Sequence, residues 1–405
     1  MKKLLVAMLS MVLLVTFAFG ACAETTLTMG SWRADDVEQM TALFNLYKES
    51  SGVQIDFQPT TPAEYNATLR LQLENGTGPD MMFARSYATG ASLFNDGYFS
   101  DISDLPGLKE NFTEEALAPW TTEGKTFAVP VVAVTHAVYY NKDIFAANSL
   151  EIPTTFEEFL TVCETLKAAG ITPLANGVAE EWDILECFFL GMLPNYIGGA
   201  AERVLYETGE KKLNDEAFVK AYADMGKVAP YLPEGFEAVT YNDSQVLFAT
   251  GKAAMFMDGS WTVGTYGDAE FEWGTFAMPA PEGMTTNITF HLDAAVGMNP
   301  ATKYPEEAKA FLAWLCTQDG VDALATYLPA GMYPVTSLPV TLADPHSAEL
   351  LALTNGKTAD VRFVWPVLMD LYSPMNQAVI AVLKGTSTPQ EAADSVAAAF
   401  DGLAK

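Results

Sequence analysis

Along this chain the spacing of apolar and polar positions changes repeatedly, and the changes predict alternating strands and helices. Leu27 to Met29 is a short strand-like run. From Ala34 to Glu49 the spacing is helical, with Val37, Met40, Leu43, Phe44 and Tyr47 on one face. Asp35 and Asp36 suit the N-terminus of that helix and Gly52 its end. Val53 to Phe57 alternates as a strand, Tyr65 to Glu74 reads as a second helix, and a Gly76-Thr77-Gly78-Pro79 turn leads into an apolar strand, Met81 to Phe83. In such a β-α-β-α-β unit ligands sit beyond the carboxyl ends of the strands. Trp32 and the run Arg85, Ser86, Tyr87 fall there.

The alternation continues, and it argues for α/β lobes. A second lobe is expected after the strand-like run Phe127 to Val134. Thr155 and Glu158 predict a capping box for a helix ending near Gly170, and Ile171 to Ala175 is the next strand. Gly251 to Trp261 has a glycine and a lysine, an apolar run, then a polar glycine-rich turn closed by a tryptophan. A buried strand that stops in the Gly259-Ser260 turn delivers Trp261 to the mouth of a cleft, where the ring either stacks on a ligand or plugs a core. Pro305 opens a helix to Leu315 with Ala308, Phe311, Leu312 and Leu315 on one face, and Thr388, Pro389 and Glu391 start the last helix. There is no internal repeat and no low-complexity linker, so the lobes are expected to be joined by strands that cross between them.

The N-terminus changes the picture of where this chain acts. Lys2 and Lys3 precede an apolar run, Leu4 to Phe19, that is shorter than the ~20 residues of a spanning helix. Ala21-Cys22-Ala23 then offers a cleavage site before Glu24, so residues 1–23 read as an export signal. Lipid attachment at Cys22 is the rival reading. No other segment is long and uncharged enough to span a bilayer, and a soluble extracytoplasmic chain, periplasmic or secreted, is expected. The formal charge of −29 over 405 residues disfavours nucleic acid and anionic lipid surfaces as partners. Cys163, Cys187 and Cys316 remain after cleavage, all in apolar helix-like settings; a Cys163–Cys187 disulfide is left open.

Catalytic and metal motifs are missing. The three histidines, His136, His291 and His346, have no metal-ligand spacing, and there is no C-x-x-C, H-E-x-x-H or G-x-S-x-G. Gly124-Lys125-Thr126 lacks the first glycine of a phosphate loop and reads as a turn. Glu180 and Glu181 could in principle serve a glycosidase, but adjacent residues rarely face one another across a bond, and with 51 acids in the chain such pairs arise by chance. No cofactor is implied. What remains is aromatic and polar: Trp32, Trp182, Trp261 and Tyr372 sit near glycine, charge or proline, while Trp314 reads as core and Trp120 and Trp273 stay undecided. Aromatic plates cover the apolar C–H faces of sugars, and carboxylates, amides and guanidinium groups bind their hydroxyl edges.

Several landmarks agree in order and spacing: Gly78-Pro79-Asp80 before a strand, Pro130 followed by Tyr140-Asn141-Lys142, Thr155 to Phe159, Gly170 to Leu174, the Gly251 to Trp261 segment, Pro305 to Ala308, and Gly385 to Ala393. In these the chain resembles the family 1 extracellular solute-binding proteins, the maltose-binding-protein-like group of ABC sugar importers. The resemblance implies a two-lobed, periplasmic-binding-protein-like (type II) α/β fold with a hinge of crossing segments. It places the N-lobe at 24–131 and 288–337, and the C-lobe at 132–287 and 338–405. It implies no catalysis; it implies a sugar ligand, permease subunits in the membrane as partners, and a monomer. It places ligand contacts at Arg85 and Ser86 in the N-lobe loop with Tyr87 nearby, at His136 and Asp293 in the hinge strands, and at Trp182, Asp258, Gly259, Trp261 and Tyr372 in the C-lobe. Trp32 joins this set from its place at a strand end. Ala84 stands where the family usually carries a large aromatic, so a maltose-like specificity does not carry over. A two-lobed binder of a polyamine, organic anion or metal, and a secreted glycan-active enzyme, are the rivals; Arg33 and Arg85 are the evident basic candidates for an anion.

Overall fold

The computed structural model describes residues 25–403; the predicted export signal and Cys22 lie outside them. One mixed sheet of nine strands organises the molecule. Its strands are β1 (Thr26–Ser31), β2 (Gln54–Pro59), β3 (Met81–Arg85), β4 (Val129–Asn141), β5 (Thr172–Leu174), β6 (Ala253–Gly259), β7 (Trp273–Phe276), β8 (Ile288–Met298) and β9 (Ala359–Asp360). The main path runs β2-β1-β3-β8-β4-β6-β5, with β7 on β4 and β9 on β8. The first three strands are parallel, as their intervening helices require.

Two long strands join the halves. Residues 129–135 of β4 pair with β8, while residues 136–141 pair with β6 and β7. The second half of β8 pairs with β3, and its start pairs with β9. These are the predicted crossing segments. Two apolar cores flank them: Phe83, Val129, Phe311 and Leu315 belong to one, and Phe159, Leu185, Phe218 and Val379 to the other.

Local chemistry explains most element bounds. The helix Pro305–Leu315 buries Ala308, Phe311, Leu312 and Leu315, the predicted face. At the last helix Thr388 and Glu391 exchange both capping-box hydrogen bonds. At Thr155 only half the box forms. Its hydroxyl accepts from the Glu158 amide, but the Glu158 carboxylate takes the Thr154 amide and hydroxyl instead. The helix predicted from Ala34 begins as a 3₁₀ turn over Ala34–Asp36 and becomes α-helical at Val37, which is exposed and leaves the buried face to the other four residues. Lys125 sits in a tight hairpin with Glu123 and Gly124 at positive φ, so it is a turn residue. Cys163, Cys187 and Cys316 are free and buried, so the two thiols left open as a pair are not bonded. Among the described residues no single helix is long and apolar enough to cross a membrane.

Candidate functional site

The strand ends around the β4–β8 crossing bring together most of the predicted contacts. From the first half of the sheet come Trp32, one residue past β1, and Arg85 at the end of β3. The Arg85 guanidinium lies 4.1 Å from the Trp32 ring centroid. Trp32 is itself buried against Tyr65 and Phe83, so it serves as a backing plate for Arg85 and is covered by it. Tyr87 has φ 57°, a left-handed conformation costly for an aromatic residue, and its amide donates to the Pro119 carbonyl. The preceding Ser86 hydroxyl is 3.4 Å from His291 Nε2. Asp293 sits where the β4–β8 register slips, between Leu292 and Ala294. A bulge re-aims a side chain, and here the Asp293 carboxylate comes to 3.7 Å from His291 Nε2.

The second half supplies an aromatic wall. Trp261 Nε1 donates to the Tyr241 hydroxyl at 2.7 Å, and Tyr241 donates to the Asp258 carboxyl at 3.0–3.1 Å. Trp182 packs on Tyr241 with centroids 3.8 Å apart, and His136 meets the Trp261 ring edge-on at 5.4 Å. An ideal Cβ on Gly259 would lie 2.0 Å from the Trp261 ring, so the glycine makes the space this ring occupies. Asp258 and Gly259 were expected to touch ligand. Both are fully buried, and the Asp258 carboxyl is occupied by Tyr241 and by the Gly259 amide. Through Tyr241 and through the space at Gly259, both set the position of Trp261.

Sequence reasoning missed the ionic centre. Arg362 is buried, pairs with Glu186 at 2.7 Å, and donates from Nε to His136 Nε2 at 3.2 Å. Its guanidinium lies 5.2 Å from the centroids of both Trp261 and Trp365. Tyr372 donates to Glu186 at 2.6 Å. Glu186 is carried on a π-helical segment, Asp183–Phe189, a backbone form frequent at functional sites. Because His136 Nε2 accepts from Arg362, its proton sits on Nδ1, and that nitrogen is buried without a partner among the described residues. Burial, and then the Arg362 charge, hold His136 neutral. His291 is neutral for the same two leading reasons. His291 Nδ1 and Trp365 Nε1 are likewise buried and unpartnered among the described residues, so polar capacity faces inward here.

A small cavity lined by Arg33, Asp36, Phe83, Asp293 and Met332 holds about 10 Å³, room for one water. A ligand site needs roughly 300 Å³ or more, so a sugar ring enters only if these groups part. A larger groove of about 470 Å³ lies far along the chain, between helices Tyr372–Leu383 and Pro389–Leu403. It is lined mainly by small side chains and carries no aromatic ring. Glu180 caps the Tyr241 amide and Glu181 is exposed, so neither forms a carboxylate pair. Among the described residues no group of three or more His, Cys, Asp or Glu is placed to hold a metal.

Beneath the aromatic wall, burial pushes the Asp258 carboxyl up to about 8 and that of Asp183 up to about 7. A carboxyl whose folded value is raised binds a proton that the unfolded chain releases near pH 4, so stability falls as pH rises toward the folded value. Thermal melts from pH 5 to 9 should therefore show a falling midpoint, with a loss exceeding ~1 kcal/mol. An Asp258→Asn variant should flatten the slope, and equal slopes in both proteins would contradict the assignment.

Comparison with known proteins gives the family and the fold. Residues 42–352 match the family described as bacterial extracellular solute-binding protein. A multiple sugar-binding protein of Streptococcus mutans is 26% identical over 78% of this chain and 76% of its own length. A maltodextrin-binding protein of Bacillus subtilis is 23% identical over 88% and 85%. The solved structure of a chitin oligosaccharide binding protein superposes with a TM-score of 0.80 at 21% identity, covering 94% of this chain and 98% of the other. Such structures are two-lobed, and this chain shares their fold.

Proposed function

The chain belongs to the bacterial extracellular solute-binding proteins, and from that premise we propose that it is the carbohydrate-capturing subunit of an ABC importer. Lobes at about 24–131 with 288–337, and 132–287 with 338–405, would close on a sugar around β4 and β8 and then dock on the membrane permease. The observation that carries this reading is the convergence, at the strand crossing, of an aromatic wall from one half with Arg85 from the other and with buried hydrogen-bonding groups that have no partner among the described residues. Trp261, Trp182 and Tyr372 supply plates and edges from one side; Arg85, Ser86, Tyr87 and Asp293 supply polar contacts from the other. His136 lies between them.

Binding drives closure because the ligand touches both halves only in the closed state; a ligand shifts such an equilibrium by its difference in affinity for the two states. No reaction is assigned to the chain. It acts as a monomer outside the cytoplasm, and the relatives that match it are binding proteins.

A thermal-shift panel of mono- and oligosaccharides, with polyamines and simple metal ions alongside, tests this. A sugar at ~100 times its dissociation constant should stabilise by ~2.7 kcal/mol. Stabilisation by a polyamine or metal and by no sugar would overturn the reading.

A further inference from the structure

The five arginines of this chain all lie in the described residues, and four are ion-paired. Arg33 pairs with Asp36, Arg70 with Asp96, Arg203 with Glu207 and Asp360, and Arg362 with Glu186. Arg85 has neither an ion pair nor a side-chain hydrogen bond among the described residues. It is half-buried at the end of β3, inside the candidate site. One face of its guanidinium rests on Trp32, and Trp365 lies 6.0 Å away. A guanidinium lying over a ring with no hydrogen-bond partner keeps its N–H donors available, and its planar fork matches two oxygens side by side.

We infer that the ligand presents a carboxylate to Arg85, and that the captured carbohydrate is therefore a uronic-acid sugar or an oligosaccharide containing one. This rests on the carbohydrate reading above. A partly desolvated cation without a paired counter-charge is costly, and a bidentate carboxylate relieves both its charge and its donors. A lone hydroxyl relieves neither fully. Burial also lowers the Arg85 pKa from its usual value, even though Asp293 and Glu186 act in the opposite direction. Asp293 contributes only at a distance, and its field is shared with Arg33 and Arg362. The unpartnered Trp365 Nε1–H adds a further donor close to Arg85. A site built around polar groups discriminates strongly against an analogue that leaves them unpaired.

Titration calorimetry on the mature protein with matched pairs decides the matter. The pairs are galacturonate against galactose, glucuronate against glucose, and the corresponding disaccharides. The acid of at least one pair should bind more than tenfold tighter than its neutral partner, and Arg85→Gln should bring that ratio close to one. Should that variant fail to fold, Arg85→Lys, which keeps the charge and loses the fork, should give an intermediate ratio. Neutral sugars that bind as well as or better than their acids would sink this inference and leave the proposed function standing. A ratio unchanged by either variant would sink the assignment to Arg85. If no sugar of either kind binds, both readings fall.

Discussion

A Trp261→Ala variant is expected to bind sugar more than tenfold more weakly, a loss of about 1.4 kcal/mol, while the unliganded protein keeps its fold. The ring is only half-buried, so its removal opens no enclosed cavity. Its orientation is set from three sides: by Tyr241 through Nε1, by His136 at its edge, and by the absence of a side chain at Gly259. The last contact yields a sharper form of the prediction. Gly259 has φ −86° and ψ 161°, which any residue adopts, so Gly259→Ala adds no backbone strain. The new methyl collides with the Trp261 ring, and that variant should lose a similar amount of affinity. In the double variant Gly259→Ala/Trp261→Ala the second change should cost nothing more, because both act on one ring. Normal binding by soluble Trp261→Ala protein would show that the ring is core and the site lies elsewhere.

The second large effect is expected at Arg362. Replacing it with Met leaves Glu186 buried without its cation and removes the donor that His136 Nε2 accepts. Breaking a buried ion pair from one side typically costs ~3–5 kcal/mol. The Tyr372 hydroxyl still serves Glu186, so the loss should fall toward the lower end of that range. Arg362→Met/Glu186→Gln, which removes both charges, should recover part of the stability lost in the single variant. Chemical denaturation of the three proteins measures this. A single variant as stable as the parent would mean that the pair is not buried in solution.

Elements with strong periodicity were legible in the sequence. The Pro305 helix carried its apolar positions at helical spacing and its proline at the first turn, and both the bounds and the buried face agree. The Gly259-Ser260 turn was legible because a charged residue, a glycine and a serine follow an apolar run, and the structure ends β6 there. The ionic centre was not legible by the same means. Glu186 lies in residues 184–192, a run that is otherwise apolar and reads as core, and Arg362 lies within residues 361–365 with no strand or helix period. The signal available was a single charge enclosed by apolar neighbours, since a buried charge requires a partner. Sequence alone could not say that the partners sit about 180 residues apart, because that pairing is made only when the two segments pack together. At Asp258 the sequence showed one part of the picture: its place beside a ligand-site turn suggests contact, and its position in the fully buried β6 adds a second part, as a support for Tyr241.

The central claim is that ligand is held between two lobes that move about β4 and β8. An empty closed cleft leaves His136, His291 and Trp365 with buried polar atoms unpaired, which favours opening in the absence of ligand. Small-angle scattering of the mature protein, alone and saturated with the sugar that stabilises it most, tests this directly. The account predicts a smaller radius of gyration with sugar bound. An unchanged radius at saturation would contradict it, since the lobes would then be rigid or the sugar would touch only one of them.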